Sequence, residues 1–561
     1  MHRPTLVLAI SVSLACSATP AVAAVTISSG ATQNMSCSGG ICAPTDKKAV
    51  LNVGDLEGFL ASGNVTVTTT GSGVQADDIE VKALLTWSTS NRLVLDAYQS
   101  IIVDKPVSVV ELSGLTLTTD DGGANGILSF GPKGNVTFAN LSSQLTINGS
   151  PYTLVGDIKS LASDIANNPI GDFALARNYN AKGDGTYASS PVPTPFNGTF
   201  EGLGNTISNL SVSGPSQDSD GYLVEGLCGE LANGTLSDIG LVNATISCPV
   251  RFVGVGALTG EIYDQAGTVR SSYTTGVVSG TGRTSTALSI GGLVGSSGGG
   301  CCGRTGGTIA NSYSTAAVTG RVSSVGGLVG LSAGSIIGSY ATGSILAERH
   351  SYGGGLVGYN GGTISDSHAT GNVKLKGPRG QGGGLVGVNS DNQNSIFGTI
   401  ENSYATGSVS GGSESIIGGL VGFSNGTISN SYATGPALGG DDSDIGGLLG
   451  WNEAVVYDAR INYSYSTGSV SAGTGSLLGG LIGDDDSPAG SLDDTYWDTD
   501  TSGITNLSQG AGNIANDPGI TGLTTAQLQS GLPPGFHRNV WAENSKINGG
   551  LPYLRMNPPP K

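Results

Sequence analysis

The sequence predicts an all-β protein, a right-handed parallel β-helix in which successive coils of the chain stack on one another, with short capping helices. A five-residue phrase close to Gly-Gly-Leu-Val-Gly occurs nine times between residues 225 and 483, at intervals of 28 to 35 residues. The apolar runs between these phrases are short and bounded by glycine, which is typical of strands and not of helices. The longer intervals contain their extra residues in Gly/Ser-rich stretches. This is expected of loops that project from coils whose core strands keep the same length.

Residues 1–24 are predicted to be an export signal. His2 and Arg3 form a short basic start, an apolar stretch ends at Cys16, and small residues offer a cleavage site before Val25. A lipoprotein signal with Cys16 as the acylated residue is the alternative. The apolar stretch is shorter than the about 20 residues that span a bilayer, so we expect no membrane span in the mature chain.

Four further segments follow the signal. Residues 25–150 are a predicted N-terminal β-repeat region, and residues 151–224 are a connector with entry coils. Residues 225–505 contain the repeated phrases and form the main solenoid. Residues 506–561 are expected to cap the last coil, because an open-ended solenoid exposes the edges of its final strands.

Two short helices are predicted within these segments. In the connector, Ile158, Leu161 and Ile165 keep helical spacing. In the cap, Thr524 and Gln527 have the spacing of a capping box at the start of a helix.

A second phrase, close to Asn-Ser-Tyr-Ala-Thr-Gly, recurs from residue 271 onward. In the shortest units its aromatic residue lies 14 residues after the start of the first phrase. Stacked coils would bring these side chains into a ladder, in which a histidine replaces one tyrosine: Tyr273, Tyr313, Tyr340, His368, Tyr404, Tyr432 and Tyr465.

Export makes disulfides possible, and six cysteines follow the signal. The closely spaced pair Cys37 and Cys42 predicts a small closed loop, whereas adjacent Cys301 and Cys302 fit either a vicinal bridge or two separate partners. Six cysteines allow 15 pairings, among which the sequence does not choose. The disulfide candidates are Cys37, Cys42, Cys228, Cys248, Cys301 and Cys302.

The charge balance excludes some classes of partner. Acidic residues outnumber basic ones 42 to 24, which argues against a nucleic-acid-binding protein because such proteins need a large basic surface. With only four histidines, a multi-histidine metal site is not expected, and no cofactor other than calcium is suggested.

The calcium hypothesis rests on Asp498, Asp500 and Ser502, which precede Gly503 with the spacing of the first half of a calcium-binding loop. The twelfth position is Gln509, so the usual bidentate glutamate is missing. A solvated acidic turn is the alternative.

Basic residues recur eight to eleven positions after successive ladder aromatics, which would place them on one flank of stacked coils. The flank would then change sign at Asp441, Asp442 and Asp444. We predict that the basic stretch binds an anionic glycan, and solvated loop charge that discourages edge aggregation is the alternative. The candidate residues are Arg283, Arg321, Arg349, Lys376 and Arg379.

No catalytic residues are predicted. The carboxylates and the cations fall in different parts of the chain, and no Ser-His-Asp order, phosphate-binding loop or zinc-protease motif occurs. We therefore expect a protein that is not an enzyme.

The repeated phrases resemble the GLUG repeat of large bacterial surface and secreted proteins. The stretch FNGTFEGLGNTISNLSV at 196–212 is similar to the entry segment of filamentous-haemagglutinin-like exoproteins, and NVTVTTTGSG at 64–73 is similar to their β-repeats. YWDTDTSG at 496–503 and GLTTAQLQSGLP at 522–533 resemble the close of such arrays.

The resemblance implies an exported bacterial adhesin or cell-surface interaction module, secreted or held at the cell surface. Its partner would be a glycan or protein on a host or neighbouring cell. Two alternatives stay open, a β-helix polysaccharide lyase or hydrolase and a structural component of an extracellular matrix or filament.

Overall fold

The computed structural model describes residues 23–248, 253–281, 288–298, 304–391, 397–453 and 460–560. Within these ranges the strands of each coil pair with those of the coils before and after, and most pairings are parallel. The predicted all-β parallel solenoid is confirmed, whereas its right hand and the segment boundaries stay predictions. Most of the predicted signal lies outside the described residues.

The N-terminal coils have three sheets around one apolar core. Strand Val65–Thr68 shows why they form, because its two valines are buried and its two threonines half-exposed, the period of two that a strand requires. The strands are Ala24–Ser28, Lys48–Asn52, Asp78–Val81, Ile101–Val103 and Leu128–Phe130 in one sheet, Val65–Thr68, Arg92–Asp96, Gly114–Thr118 and Gln144–Ile147 in the second, and Leu85–Trp87, Val107–Val109 and Val136–Phe138 in the third.

One helix packs on the core of the N-terminal coils and a second packs on the core of the main solenoid. Helix α1, Val53–Ser62, was not predicted; Leu56 and Leu60, one turn apart, are buried, and the Asn52 side chain caps its start. Helix α2, Ile158–Asn167, confirms the predicted connector helix and is capped by Asp157, which accepts the Ser160 backbone N–H.

One coil of the main solenoid shows the order of its four sheets. In a representative coil the strands are Tyr352–Gly354 in sheet 1, Val357–Asn360 in sheet 2, Thr363–Ser365 in sheet 3, and His368–Ala369 with Val373–Lys376 in sheet 4. Sheet 1 extends in parallel from Leu223–Glu225 to Leu477–Gly479, sheet 2 from Cys228–Leu231 to Ile482–Asp485, sheet 3 from Ser150–Val155 to Leu492–Asp493, and sheet 4 from Tyr179–Asn180 to Ile520–Leu523.

Identical core positions stack from coil to coil. On sheet 3, Ile336, Ile364, Ile400 and Ile428 pair in register, and each is fully buried. One coil cannot bury such a side chain alone, whereas stacking gives roughly 1.5–3 kcal/mol for each one. The core is therefore a set of aliphatic ladders along the axis.

The first repeated phrase turns the chain between sheets 1 and 2. A Cβ atom on Gly327 would lie 2.1 Å from the carbonyl oxygen of Gly355 in the next coil, so no other residue fits there. The following Leu328 and Val329 are buried. The glycines thus allow the close approach of coils, and the aliphatic residues fill the core.

The second repeated phrase turns the chain between sheets 3 and 4. Asn402 takes a left-handed φ of 49°, and Ser403 donates its backbone N–H to the Ser431 hydroxyl of the next coil at 3.3 Å. Ala405 is buried in the core, and Tyr404 belongs to the aromatic ladder on the outer face. The first four residues of the phrase therefore each have a separate structural role.

Residues 524–560, called the C-terminal segment below, lie along the side of the solenoid. Helix α3, Thr525–Leu528, has the predicted capping box. Strands Trp541–Ala542 and Tyr553–Leu554 pair antiparallel. The sequence predicts a cap over the last coil, and Ile520–Leu523 pairs there; the C-terminal segment instead packs against the aromatic ladder.

Candidate binding surface

The predicted basic residues with a described structure lie where sheet 4 turns into sheet 1. Arg321, Arg349, Lys376 and Arg379, called the basic corner below, belong to three consecutive coils and are all exposed. The fifth predicted residue, Arg283, lies outside the described residues.

Acidic side chains interrupt this corner, which corrects the expectation of a continuous basic stretch. Glu348 stands in register between Arg321 and Lys376, and its carboxylate contacts Lys376 Nζ at 3.0 Å. Arg379 Nε contacts Glu414 at 2.8 Å. Both pairs are exposed, so each contributes roughly 0–1 kcal/mol.

Two cations of the corner keep their charge available. In the described ranges neither Arg321 nor Arg349 forms an ion pair. The charge of the corner changes from positive to negative at Glu414, one coil earlier than predicted. Glu414 occupies the left-handed turn position that Asp442 occupies in the next coil. The positive field is therefore local and centred on Arg321 and Arg349.

The predicted calcium residues lie beside the start of α3. Asp498 accepts the Thr525 hydroxyl at 2.7 Å, and Asp500 accepts the Thr525 backbone N–H at 3.0 Å. Ser502 accepts the backbone N–H of Ile504 at 3.2 Å. The three side chains are thus engaged by protein donors, and calcium binding stays a prediction.

No metal-binding arrangement of three or more histidine, cysteine, aspartate or glutamate side chains is found in the part of the chain that the structure describes.

The cysteines divide into three groups. Cys37 and Cys42 form a disulfide between adjacent antiparallel strands. Cys228 and Cys248 are buried thiols, which corrects their assignment as disulfide candidates; they stand on different sheets, and the Cys248 thiol hydrogen-bonds Glu225. Cys301 and Cys302 lie outside the described residues.

A buried acidic cluster was missed in the sequence. Glu230 and Glu261 face each other on adjacent coils of sheet 2, and Asp218 hydrogen-bonds Glu261. Burial, and to a smaller extent the contact with Asp218, raises the pKa of Glu261 to about 9, so Glu261 keeps its proton at neutral pH. The sequence does contain a signal for this cluster, because Glu230 and Glu261 each directly follow a copy of the first repeated phrase and therefore occupy equivalent positions in adjacent coils.

The predicted aromatic ladder is present. Neighbouring rings from Tyr273 to Tyr465 lie 4.8 to 5.1 Å apart and within 9° of parallel, with His368 in its predicted place. Burial lowers the pKa of His368 to about 4, so its ring is neutral at physiological pH. It acts as a ladder member that hydrogen-bonds Asn557.

The ladder is covered unequally. Tyr404, Tyr432 and Tyr465 are fully buried under an aromatic cluster formed by the C-terminal segment. Tyr273 and Tyr340, nearer the start of the repeats, are only half-buried. The sequence predicts the ladder but not this cover.

Comparison with known proteins supports the repeat assignment. Residues 350–374 and 379–410 match the family described as the GLUG motif. The chain carries GLUG repeats. Halomucin from Haloquadratum walsbyi (strain DSM 16790 / HBSQ001) is 30% identical over 156 residues, 28% of this chain. The chain spans about 1% of the length of that relative.

Two solved structures are similar in part. One is described as an immunoglobulin A1 protease from Bacteroides ovatus, with a TM-score of 0.31, 18% identity and coverage of 72% of this chain and 92% of that one. The other, an IgA1 protease, has a TM-score of 0.33, 17% identity and coverage of 55% and 21%. The fold assignment rests on the strand pairing described above.

No helix within the described ranges is long and apolar enough to cross a membrane. The resemblance to filamentous-haemagglutinin-like proteins stays a prediction.

Proposed function

We propose that this chain is a non-enzymatic adhesin, exported to the cell surface or secreted, that binds an anionic glycan of a host or neighbouring cell. The observation that carries the proposal is the basic corner, where four exposed cations lie on three consecutive coils of a chain with a net charge of −18. Two of the four, Arg321 and Arg349, form no ion pair in the described ranges, so their charge is available to a ligand. The GLUG repeats and the partial likeness to halomucin support an extracellular repeat protein of this kind.

The corner suits a polymer better than a small ligand. Its cations belong to adjacent coils, so an anionic chain lying along the axis meets Arg321 and Arg349 first and then Lys376, which is paired with Glu348. Exposed charges attract weakly one at a time and are screened by salt, so we expect binding through several contacts and strong salt dependence.

The test is retention of the mature chain on acidic and neutral polysaccharides, with polymer length measured in the same samples. Charge reversal by Arg321→Glu, Arg349→Glu and Lys376→Glu is expected to lower retention on acidic polymers at least tenfold. The matched control reverses three exposed lysines of the N-terminal coils and connector helix, Lys47, Lys133 and Lys159, and should retain binding.

Two outcomes would contradict the proposal. Equal retention by the wild type and the basic-corner variant would remove the corner from binding. Shortening of a polysaccharide by the wild type would instead identify an enzyme. Repeating the assay with calcium and with a chelator tests whether the site predicted at Asp498, Asp500 and Ser502 contributes.

A further inference from the structure

The C-terminal segment shows what kind of chain the aromatic ladder accepts. Tyr465 donates its hydroxyl hydrogen to the carbonyl oxygen of Pro552 at 2.6 Å, and Tyr496 donates to that of Pro534 at 2.9 Å. Trp541 packs 6.0 Å from the Tyr432 ring centroid. In this interface a proline carbonyl thus accepts from Tyr465, the last ring of the ladder, and another accepts from Tyr496 of the next coil. In the described residues the buried hydroxyl groups of Tyr404 and Tyr432 have no hydrogen-bond partner, and aromatic side chains cover those two rings.

The interface stops before the ladder does. The C-terminal segment contacts Tyr465 through Pro552 and reaches His368 through Asn557, advancing toward the start of the repeats. Tyr340, Tyr313 and Tyr273, called the uncovered rungs below, continue the same stack at steps of 4.8 to 5.0 Å. In the described residues their hydroxyl groups form no hydrogen bond within the chain.

Apolar side chains flank the uncovered rungs. Ile337, three residues before Tyr340, is 37% exposed, and Val277, four residues after Tyr273, is 47% exposed. At the position of Ile337 the next two coils have Ser365 and Glu401. The apolar surface is therefore a local feature of the uncovered part of the ladder.

The geometry of the rings decides between ligand classes. Their planes are within 2° of parallel, so neighbouring rings cover each other's faces, and Gly240 lies against Tyr273 at the end of the stack. A sugar ring, which stacks on an aromatic face, finds only ring edges and hydroxyl groups here. A row of hydroxyl donors instead suits a backbone with unpaired carbonyl groups.

We infer that the uncovered rungs bind a proline-rich polypeptide segment in the polyproline II conformation, as a continuation of the interface made by the C-terminal segment. A polyproline II helix exposes its carbonyl groups and repeats every three residues, about 9.3 Å. Two ladder steps of 4.8 Å each match that repeat closely. Aromatic-lined surfaces recognise such helices in other proteins.

The test is calorimetric titration of the mature full-length chain with synthetic dodecaproline. We expect saturable binding, no binding of a Gly/Ser peptide of equal length, and an affinity about fivefold lower in Tyr340→Phe, which loses one of the two hydroxyl donors that lie one polyproline II repeat apart. The double variant Ile337→Glu, Val277→Thr is expected to lose at least tenfold. Both new residues occur at these positions in other coils, as Glu401 and Thr245, so the fold should tolerate them.

Leu438→Glu is the matched control, because Leu438 is 40% exposed on a later coil of sheet 4. It should bind dodecaproline like the wild type. The variant with a reversed basic corner should do so too, which separates this inference from the proposed function. Absence of saturable binding, equal affinity for the Gly/Ser peptide, or unchanged affinity in the double variant would each overturn the inference.

Discussion

Two facing core positions, one at the end of sheet 4 and one in sheet 1, carry a small and a large residue in opposite order in different coils. A Cβ atom on Gly320 would lie 2.5 Å from Val325, so a glycine stands where the facing side chain is large. Two coils later the sizes are reversed, because Leu375 stands at the position of Gly320 and fills the space beside Gly353 and Gly382. Protein cores are close-packed, so these substitutions are coupled and not independent.

Leu375→Ala is expected to destabilise the protein by about 2–5 kcal/mol, because the two neighbouring glycines have no side chain to fill the cavity. Urea unfolding followed by circular dichroism measures the change. The double variant Leu375→Gly, Gly382→Ile reproduces the Gly411 and Ile417 pair of the next coil and should recover part of the loss. A double variant less stable than Leu375→Ala would argue against coupled packing.

The buried pair of Glu261 and Asp218 makes stability depend on pH. The pKa of Glu261 is raised from its ordinary value of 4.5 to about 9 in the fold, so the folded state binds more protons between these values. Its contribution to stability is fully present below the unfolded pKa and is lost as pH rises toward 9. Glu230 adds repulsion and Arg304 opposes it.

Glu261→Gln is expected to raise the melting temperature at pH 8 relative to the wild type and to leave it nearly unchanged at pH 4. The amide keeps a hydrogen-bond donor toward Asp218 at every pH and never becomes charged. Thermal melting from pH 4 to pH 9 measures the effect. Parallel pH profiles for the two proteins would show that Glu261 does not titrate as described.

At the scale of the elements, recurrence in the sequence predicted strand stacking well. The second repeated phrase returns once per coil, and that alone was sufficient to place His368 in the aromatic ladder. The basic corner was predicted less accurately because its residues follow the ladder aromatics at offsets that vary from eight to eleven. At a strict offset of eight the row contains Arg321, Glu348 and Lys376, which is the register that the strands adopt.

The elements that do not repeat were harder to predict. Helix α1 has two glycines and only Leu56 and Leu60 on its buried side, a weak helical signal. The cover of the ladder depends on contacts such as Trp541 with Tyr432, between residues far apart in the sequence. Local pattern carries no information about such pairs, so the uncovered rungs could not be identified before the structure.

As a whole molecule, the solenoid is one-dimensional, because each coil contacts chiefly its neighbours. The shortest repeat is 28 residues, one full coil, and corresponding residues of adjacent coils pair in register. Removing one coil should therefore bring equivalent strands together, whereas removing half a coil should place every later strand on the wrong sheet.

Deletion of residues 326–353 joins Val325 to Gly354 and preserves the register, so we expect a folded protein with a wild-type circular dichroism spectrum and a slightly lower melting temperature. Deletion of residues 326–339 is the control and should abolish cooperative melting. Unfolding of both variants, or folding of both, would contradict a coil-by-coil architecture.

The seating of the C-terminal segment on the ladder has an optical consequence. Trp541 lies 6.0 Å from Tyr432 and 5.9 Å from Tyr465, at the side of a continuous stack of phenol rings. Light absorbed by a stacked tyrosine passes to a nearby indole, which then emits at longer wavelength. Because the C-terminal segment is seated on the ladder, Trp541 receives excitation from the side of the stack, in addition to Trp497, which follows Tyr496 in the coil after Tyr465. On excitation of the tyrosines, emission from Trp541 thus reports the contact between the C-terminal segment and the ladder.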